Sequence, residues 1–190
     1  MSDLETALRD AREASYVRLR GGFPVLLAGA TYWAGLAAAG YLLELRFWFP
    51  IALFGSGTIF PLAVMYGAIF GNNFLKDRSP VTSVLLPAFI AMLLFWPMAI
   101  GALWTAKDLF PLILAVGLSL HFPVIGWSYN RTWLYMNHAL VRAVAVFMVW
   151  WFVPEGRYTL LPLVVVAAYL ITAAIVIVDS GRAKAKAAAA

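Results

Sequence analysis

Six apolar runs of about 20 residues occupy most of this chain of 190 residues. They fall at 22–43, 47–70, 81–103, 109–129, 132–153 and 158–178. A helix rises about 1.5 Å per residue, so each run crosses roughly 30 Å, the thickness of bilayer hydrocarbon. Composition agrees: 64% of the residues are hydrophobic, 12% are charged and the mean hydropathy is +0.86. A soluble domain carries about 45–50% apolar and about 25% charged residues. Water therefore cannot be the solvent for most of this surface. The predicted class is an all-α, polytopic transmembrane helical bundle of six spans, with no polar stretch long enough for a separate soluble domain.

The links between runs are short: "ELR" at 44–46, "GNNFLKDRSP" at 71–80, "WTAKD" at 104–108, "NR" at 130–131 and "PEGR" at 154–157. Such links make neighbouring spans antiparallel and predict three helical hairpins. Basic residues set the orientation. With the N-terminus inside, the cytoplasmic segments hold Arg9, Arg12, Arg18, Arg20, Lys76, Arg78, Arg131, Arg182, Lys184 and Lys186. The outer segments hold Arg46, Lys107 and Arg157. This bias predicts that both termini are cytoplasmic, and it accounts for the net charge of +5 without nucleic acid as a partner. Phe47, Trp48, Phe49, Trp150, Trp151 and Phe152 lie near span ends, as interfacial aromatics do.

Residues 1–21 mix four arginines with four acids before the first apolar run, which is no cleavable signal. "SDLE" offers Ser2 as an N-cap and Glu5 at the capping-box position. Leu4, Leu8, Ala11 and Ser15 follow at helical spacing. The segment reads either as an amphipathic helix on the membrane surface or as a frayed polar tail. Residues 22–178 form the membrane domain, and 179–190 form a low-complexity cytoplasmic tail.

Polar side chains gather where the chain is most apolar, in "LSLHFPVIGWSYNRTWLYMNHALVRAV" at 118–144. Pro123 removes a backbone hydrogen bond and crowds the carbonyl of Ser119, four residues back. The fourth span should bend near His121 and turn its broken side toward protein or a wet cavity. Arg131, Tyr135, His138 and Arg142 recur on one face of the fifth span. Arg142 sits about 16 Å along the axis from Arg131, near mid-membrane. A cation there costs at least about 2.5–3.5 kcal/mol. No Asp or Glu lies within a span, so Arg142 must use backbone carbonyls, water, a distant terminal acid or a bound anion, or else snorkel. His121, Trp127, Tyr129, Asn130, Tyr135, His138 and Arg142 are the candidate ligand-binding residues. Two histidines without cysteine or a nearby acid do not make a zinc set, and no cofactor is expected.

Two weaker patterns remain. The second and fourth spans each carry Phe-Pro at the outer end and again about a dozen residues on (Pro50 and Pro61; Pro111 and Pro123), which is either a parallel repeat or coincidence. The first span aligns Ala30, Ala34 and Ala38 beside Thr31, Gly35 and Ala39, small residues that suit close packing within the chain or in a homo-oligomer.

"RGGFPVLLAGATYW" at 20–33 and "HFPVIGWSYN" at 121–130 resemble an uncharacterised, domain-of-unknown-function family of small bacterial membrane proteins, across the first five spans. The matching positions are Gly22, Pro24, His121, Pro123, Gly126, Trp127, Tyr129 and Asn130. The resemblance implies a multi-pass protein of the bacterial inner membrane and no established activity. Three functions compete. The first is a transporter- or channel-like protein with a polar midplane pocket for a small polar or anionic solute, or its variant, the substrate-binding subunit of a multi-component importer. The second is a protein that binds membrane lipid or interacts with other membrane proteins. An intramembrane enzyme is disfavoured, since no paired carboxylates, zinc motif or Ser-His pair at helical spacing occurs.

Overall fold

A computed structural model describes residues 2–72, 74–77 and 79–189. Arg78, one of the counted basic residues, lies outside them. Among the described residues there are seven helices and no strand: α1 (Asp3–Arg18), α2 (Arg20–Leu42), α3 (Leu45–Ile69), α4 (Thr82–Thr105), α5 (Lys107–Ser128), α6 (Thr132–Phe152) and α7 (Leu160–Ala189). Helices α2 to α7 are each long and apolar enough to cross a membrane. Their bounds follow the apolar runs closely, except that α7 continues past residue 178 to Ala189.

Helix α1 forms because Ser2 and Glu5 close a capping box. Ser2 Oγ accepts from Glu5 N–H at 3.3 Å, and Ser2 N–H donates to Glu5 Oε2 at 3.0 Å. The chain then turns into α2 through Arg20, Gly21 and Gly22, all at positive φ, with Pro24 in the first turn of the new helix. Gly21 is required twice over. Its φ is +61°, and a Cβ there would meet the side chains of Val176 and Tyr16. Gly21→Ala should cost about 1–3 kcal/mol, from strain plus overpacking, and lower the melting temperature in detergent. An unchanged melting temperature would show that this turn is not rigidly packed.

Three spans are interrupted ahead of a proline. In α3 the regular helix gives way to a 3-10 turn at Ser56–Thr58, before Pro61. Ser56 Oγ and Thr58 Oγ1 donate to the carbonyls of Leu53 and Gly55 at 2.8 and 2.6 Å. In α4 the break precedes Trp96 and Pro97, and in α5 it lies between Gly117 and Phe122, before Pro123. The breaks of α4 and α5 touch, since a Cβ on Gly117 would strike the ring of Phe95. Both Phe-Pro-bearing spans of the sequence pattern are thus broken ahead of their second Phe-Pro.

Helices α2 and α5 are the most enclosed, and α3 and α4 lie at the margin. Helix α7 packs along α2 and α6, α6 packs against α5, and α3 lies on α2. Gly29 lets α2 approach α7 so closely that a Cβ would run into the Tyr169 ring. Ala30 and Ala39 of α2 are buried, whereas Thr31, Ala34, Gly35 and Ala38 face outward. One aromatic departs from its expected interfacial place. Trp48 is fully buried, and its indole N–H is shared between the carbonyls of Leu36 and Tyr158, each at 3.1 Å. A Trp near a span end can reach into the bundle when carbonyls there need a donor. Phe47, Trp151 and Phe152 are exposed as expected.

Candidate functional site

The break in α5 exposes one particular carbonyl. In an unbroken helix Ser119 N–H would donate to Ala115 O. Instead Ser119 N–H turns to Val116 O at 2.9 Å, and Phe122 N–H takes Ser119 O at 3.1 Å. Ala115 O is left without that donor in the protein interior, where an unpaired carbonyl is costly. Arg142 supplies it. Its Nε donates to Ala115 O at 3.1 Å, and Nη2 donates to the same oxygen.

Arg142 reaches that carbonyl because Tyr135, His138, Arg142 and Val146 form the buried face of α6, at the spacing of one helical face. The Arg142 side chain has no exposed surface, so it does not snorkel. It stands ten residues from each end of α6, about 15 Å from either. Its guanidinium carbon is 5.0 Å from the ring centre of Tyr169 and 5.9 Å from that of Trp33, which supports the cation by its interaction with aromatic faces.

The histidines share this layer. His121 is buried between Phe89 and Phe122, with ring centres at 4.8 and 4.5 Å. Phe122 also touches His138 at 4.5 Å, edge-on. His138 Nδ1 lies 2.8 Å from Thr172 Oγ1, whose hydroxyl donates to Ala168 O at 2.8 Å. Four buried nitrogens here have no hydrogen-bond partner among the described residues: Arg142 Nη1, His138 Nε2, His121 Nδ1 and Trp33 Nε1. Leaving such groups unpaired costs about 1–3 kcal/mol each, and more for the charged one.

Not every candidate belongs to this layer. His121, His138 and Arg142 meet there. Tyr135 is buried one turn away, and its hydroxyl donates to Gly21 O. Tyr129 is buried against Tyr16, with ring centres 5.9 Å apart, and against Gly22. Asn130, at φ +55°, closes α5, with Asn130 N–H on Trp127 O and Arg131 N–H on Gly126 O. Trp127 is 38% exposed, with the Arg12 guanidinium over its ring at 4.8 Å. These three residues build the α1 end of the bundle rather than its centre.

Arg131 organises that end. It donates to both carboxylate oxygens of Glu13 at 2.8 and 2.9 Å and to Asp179 Oδ2 at 2.6 Å, while stacking on Tyr16 at 4.3 Å. Arg18 pairs with Asp77 at 2.6 Å. The Arg131 hydrogen bonds hold the Glu13 carboxyl below its ordinary range against the opposing effect of burial. Burial disfavours charge on Arg131, but its bonds to Glu13 and Asp179 outweigh it, and the guanidinium is raised above its ordinary value. The opposite end is tied by Asp108, which accepts from Arg157 Nη1 at 3.0 Å and Tyr158 at 3.1 Å. The ion-paired acids thus sit at the ends, and among the described residues none partners Arg142.

The sequence reading did not single out Trp33, Tyr169, Thr172 or the Ala115 carbonyl. Tyr169 and Thr172 carried a usable signal, two hydroxyl side chains one turn apart in an otherwise apolar run. For the carbonyl the signal was general: Pro123 points to freed backbone acceptors near Ser119, and the oxygen used is that of Ala115. The model of a family of unknown function, DUF7010, matches residues 8–179. No curated protein matches the chain, and no solved structure matches it.

Proposed function

We propose, for a chain that belongs to the DUF7010 family of unknown function, that its central arginine holds a small anion or polar solute inside the membrane. Six helices able to cross a membrane make it compatible with a multi-pass integral membrane protein. The observation that carries the solute reading is Arg142 itself. It is fully buried, it has no acid partner among the described residues, and its Nη1 is unpaired, as are the buried Trp33 Nε1 and His138 Nε2. A buried cation in that state favours an acceptor from outside the chain. The reading extends to a transporter- or channel-like role, because the helices flanking the site are broken at proline and can supply freed carbonyls along a path.

The test is thermal unfolding of the purified protein in detergent, with sodium formate against sodium gluconate at matched ionic strength. A ligand that binds only the folded state raises the melting temperature as its concentration passes the dissociation constant. A saturable rise with formate supports the reading, and equal curves in both salts reject it.

For orientation we infer that both termini are cytoplasmic and that the spans run as three antiparallel hairpins in a bacterial inner membrane. The basic-residue bias supports this, and so do the ion pairs that join Glu13, Arg131 and Asp179 at one end. Reporter fusions after residues 75 and 156 should fall on opposite sides, and the same side for both would overturn it.

A second reading has an observation of its own. A groove of about 570 Å³ between α6 and α7 is lined by Leu134, Ala174, Ile175 and Val178, with Arg182 and the Arg131–Asp179 pair at its polar end. An acyl chain with an anionic headgroup suits that arrangement. Co-purified lipid in the groove, with no anion effect on unfolding, would favour it.

A further inference from the structure

The hydrogen bonds around His138 decide more than its orientation. Thr172 Oγ1 lies 2.8 Å from both Ala168 O and His138 Nδ1, and both contacts are hydrogen bonds only when its single proton goes to the carbonyl, which cannot donate. Thr172 Oγ1 can then only accept from His138 Nδ1. The imidazole proton therefore sits on Nδ1, and Nε2 presents a bare lone pair on the opposite side of the ring. That nitrogen is buried and unpartnered. His138 and Arg142 are four residues apart on one face, neighbours with Cβ atoms about 5–6 Å apart. The His138 ring and the Arg142 guanidinium carbon each lie 5.0 Å from the centre of the Tyr169 ring, and His138 Nε2 and Arg142 Nη1 are both buried and unpaired among the described residues.

The surrounding groups leave few sources of a second charge. Tyr135 and Arg142 lie on the same helix, His121 faces from α5 and Tyr169 from α7; α2 contributes Trp33, which does not titrate, and α4 contributes Phe89 against His121. No carboxylate among the described residues partners any of them.

The deduction rests on the solute reading above. An oxyanion suits Arg142 Nη1 and the Trp33 indole N–H, because it only accepts hydrogen bonds. Nε2 in its present tautomer also only accepts. Two acceptors that face each other in a dry interior repel unless a proton lies between them. We propose that the site takes a small oxyanion together with one proton, the anion on Arg142 and the proton at His138 Nε2. The balance is simple: one anion and one solution proton enter, one N–H bond forms at Nε2 and is shared with an anion oxygen, and no other bond changes. The ligand class is the conjugate base of a weak acid, with a monocarboxylate as the simplest member.

Formate is the probe, being ionised throughout the neutral range. Its apparent dissociation constant, from melting-temperature shifts, is measured from about pH 6 to about pH 8 for wild type, His138→Gln and Arg142→Met. When the complex holds one proton more than the free protein, affinity falls roughly tenfold per pH unit. Wild type should show that slope. His138→Gln, whose side-chain amide replaces the shared proton with its own N–H, should still bind formate but with a flat profile. A flat profile in wild type, with binding that still requires Arg142, overturns the proton assignment and leaves the anion reading standing. A full slope that survives in His138→Gln places the proton elsewhere and equally overturns it. No formate binding by wild type, or binding equal in Arg142→Met, overturns both. The wild-type slope alone decides the case should the glutamine variant fail to fold.

Discussion

Arg142→Met should weaken formate binding by at least about a hundredfold and erase the formate-dependent rise in melting temperature. A unit charge about 4 Å from an anion contributes roughly 4 kcal/mol at an effective dielectric constant of 20, about a thousandfold in affinity. Methionine keeps much of the volume and offers no donor. Stability without ligand should change far less, by about 2 kcal/mol at most and in either direction. Removing a buried, unmatched cation recovers its desolvation cost, while the Ala115 carbonyl loses its donor at a cost of about 1–3 kcal/mol. The two measurements separate the roles. Unaltered formate binding in a folded Arg142→Met protein would remove Arg142 from the site. A severe loss of stability would make it a structural strut for the break in α5.

Arg131→Gln should free α1 from the bundle. The wild-type guanidinium grips both oxygens of Glu13 and also Asp179, and its side chain is only 22% exposed. Hydrogen bonds of this charged kind contribute about 1.5–3 kcal/mol each, so losing the set should cost about 3 kcal/mol of docking. That corresponds to roughly a hundredfold loss of protection against hydrogen exchange in the amides around Ser15 and Tyr16, both fully buried in wild type. Slow exchange at Ser15 and Tyr16 in the variant would show that apolar contacts hold α1 without the ion pairs. Acid should act in the same direction. The Glu13 carboxyl is held below its ordinary value, so its contribution is complete above the ordinary carboxylate range. It is lost as the pH falls through the depressed value. Arg131 is raised, so its contribution would fade only on the alkaline side, above its ordinary range. Docking of α1 should therefore weaken in acid below the carboxylate range and hold steady through neutrality.

What the sequence by itself determined is what depends on neighbours along the chain. Hydrophobic run length placed all six spans, because crossing hydrocarbon is a matter of length. Proline chemistry located the break in α5, because a missing N–H and a crowded carbonyl are properties of five consecutive residues. The spacing of Tyr135, His138 and Arg142 put them on one buried face, because helical periodicity is local. The Ser2–Glu5 box likewise needed no tertiary help to be read, although whether α1 would dock was open.

Tertiary structure alone decided the partners. Arg142 takes the Ala115 carbonyl 27 residues away, and His138 meets Thr172 34 residues away. Those choices depend on how far each helix is rotated about its axis. Packing sets that rotation, through contacts such as Gly29 under the Tyr169 ring and Gly117 under Phe95. The same cause explains why Trp127, in the helical segment after the break, faces outward, and why Trp48 near a span end is drawn into the core. A repeat of 3.6 residues tells which side chains share a face. Only the fit of one helix surface into another tells what that face meets.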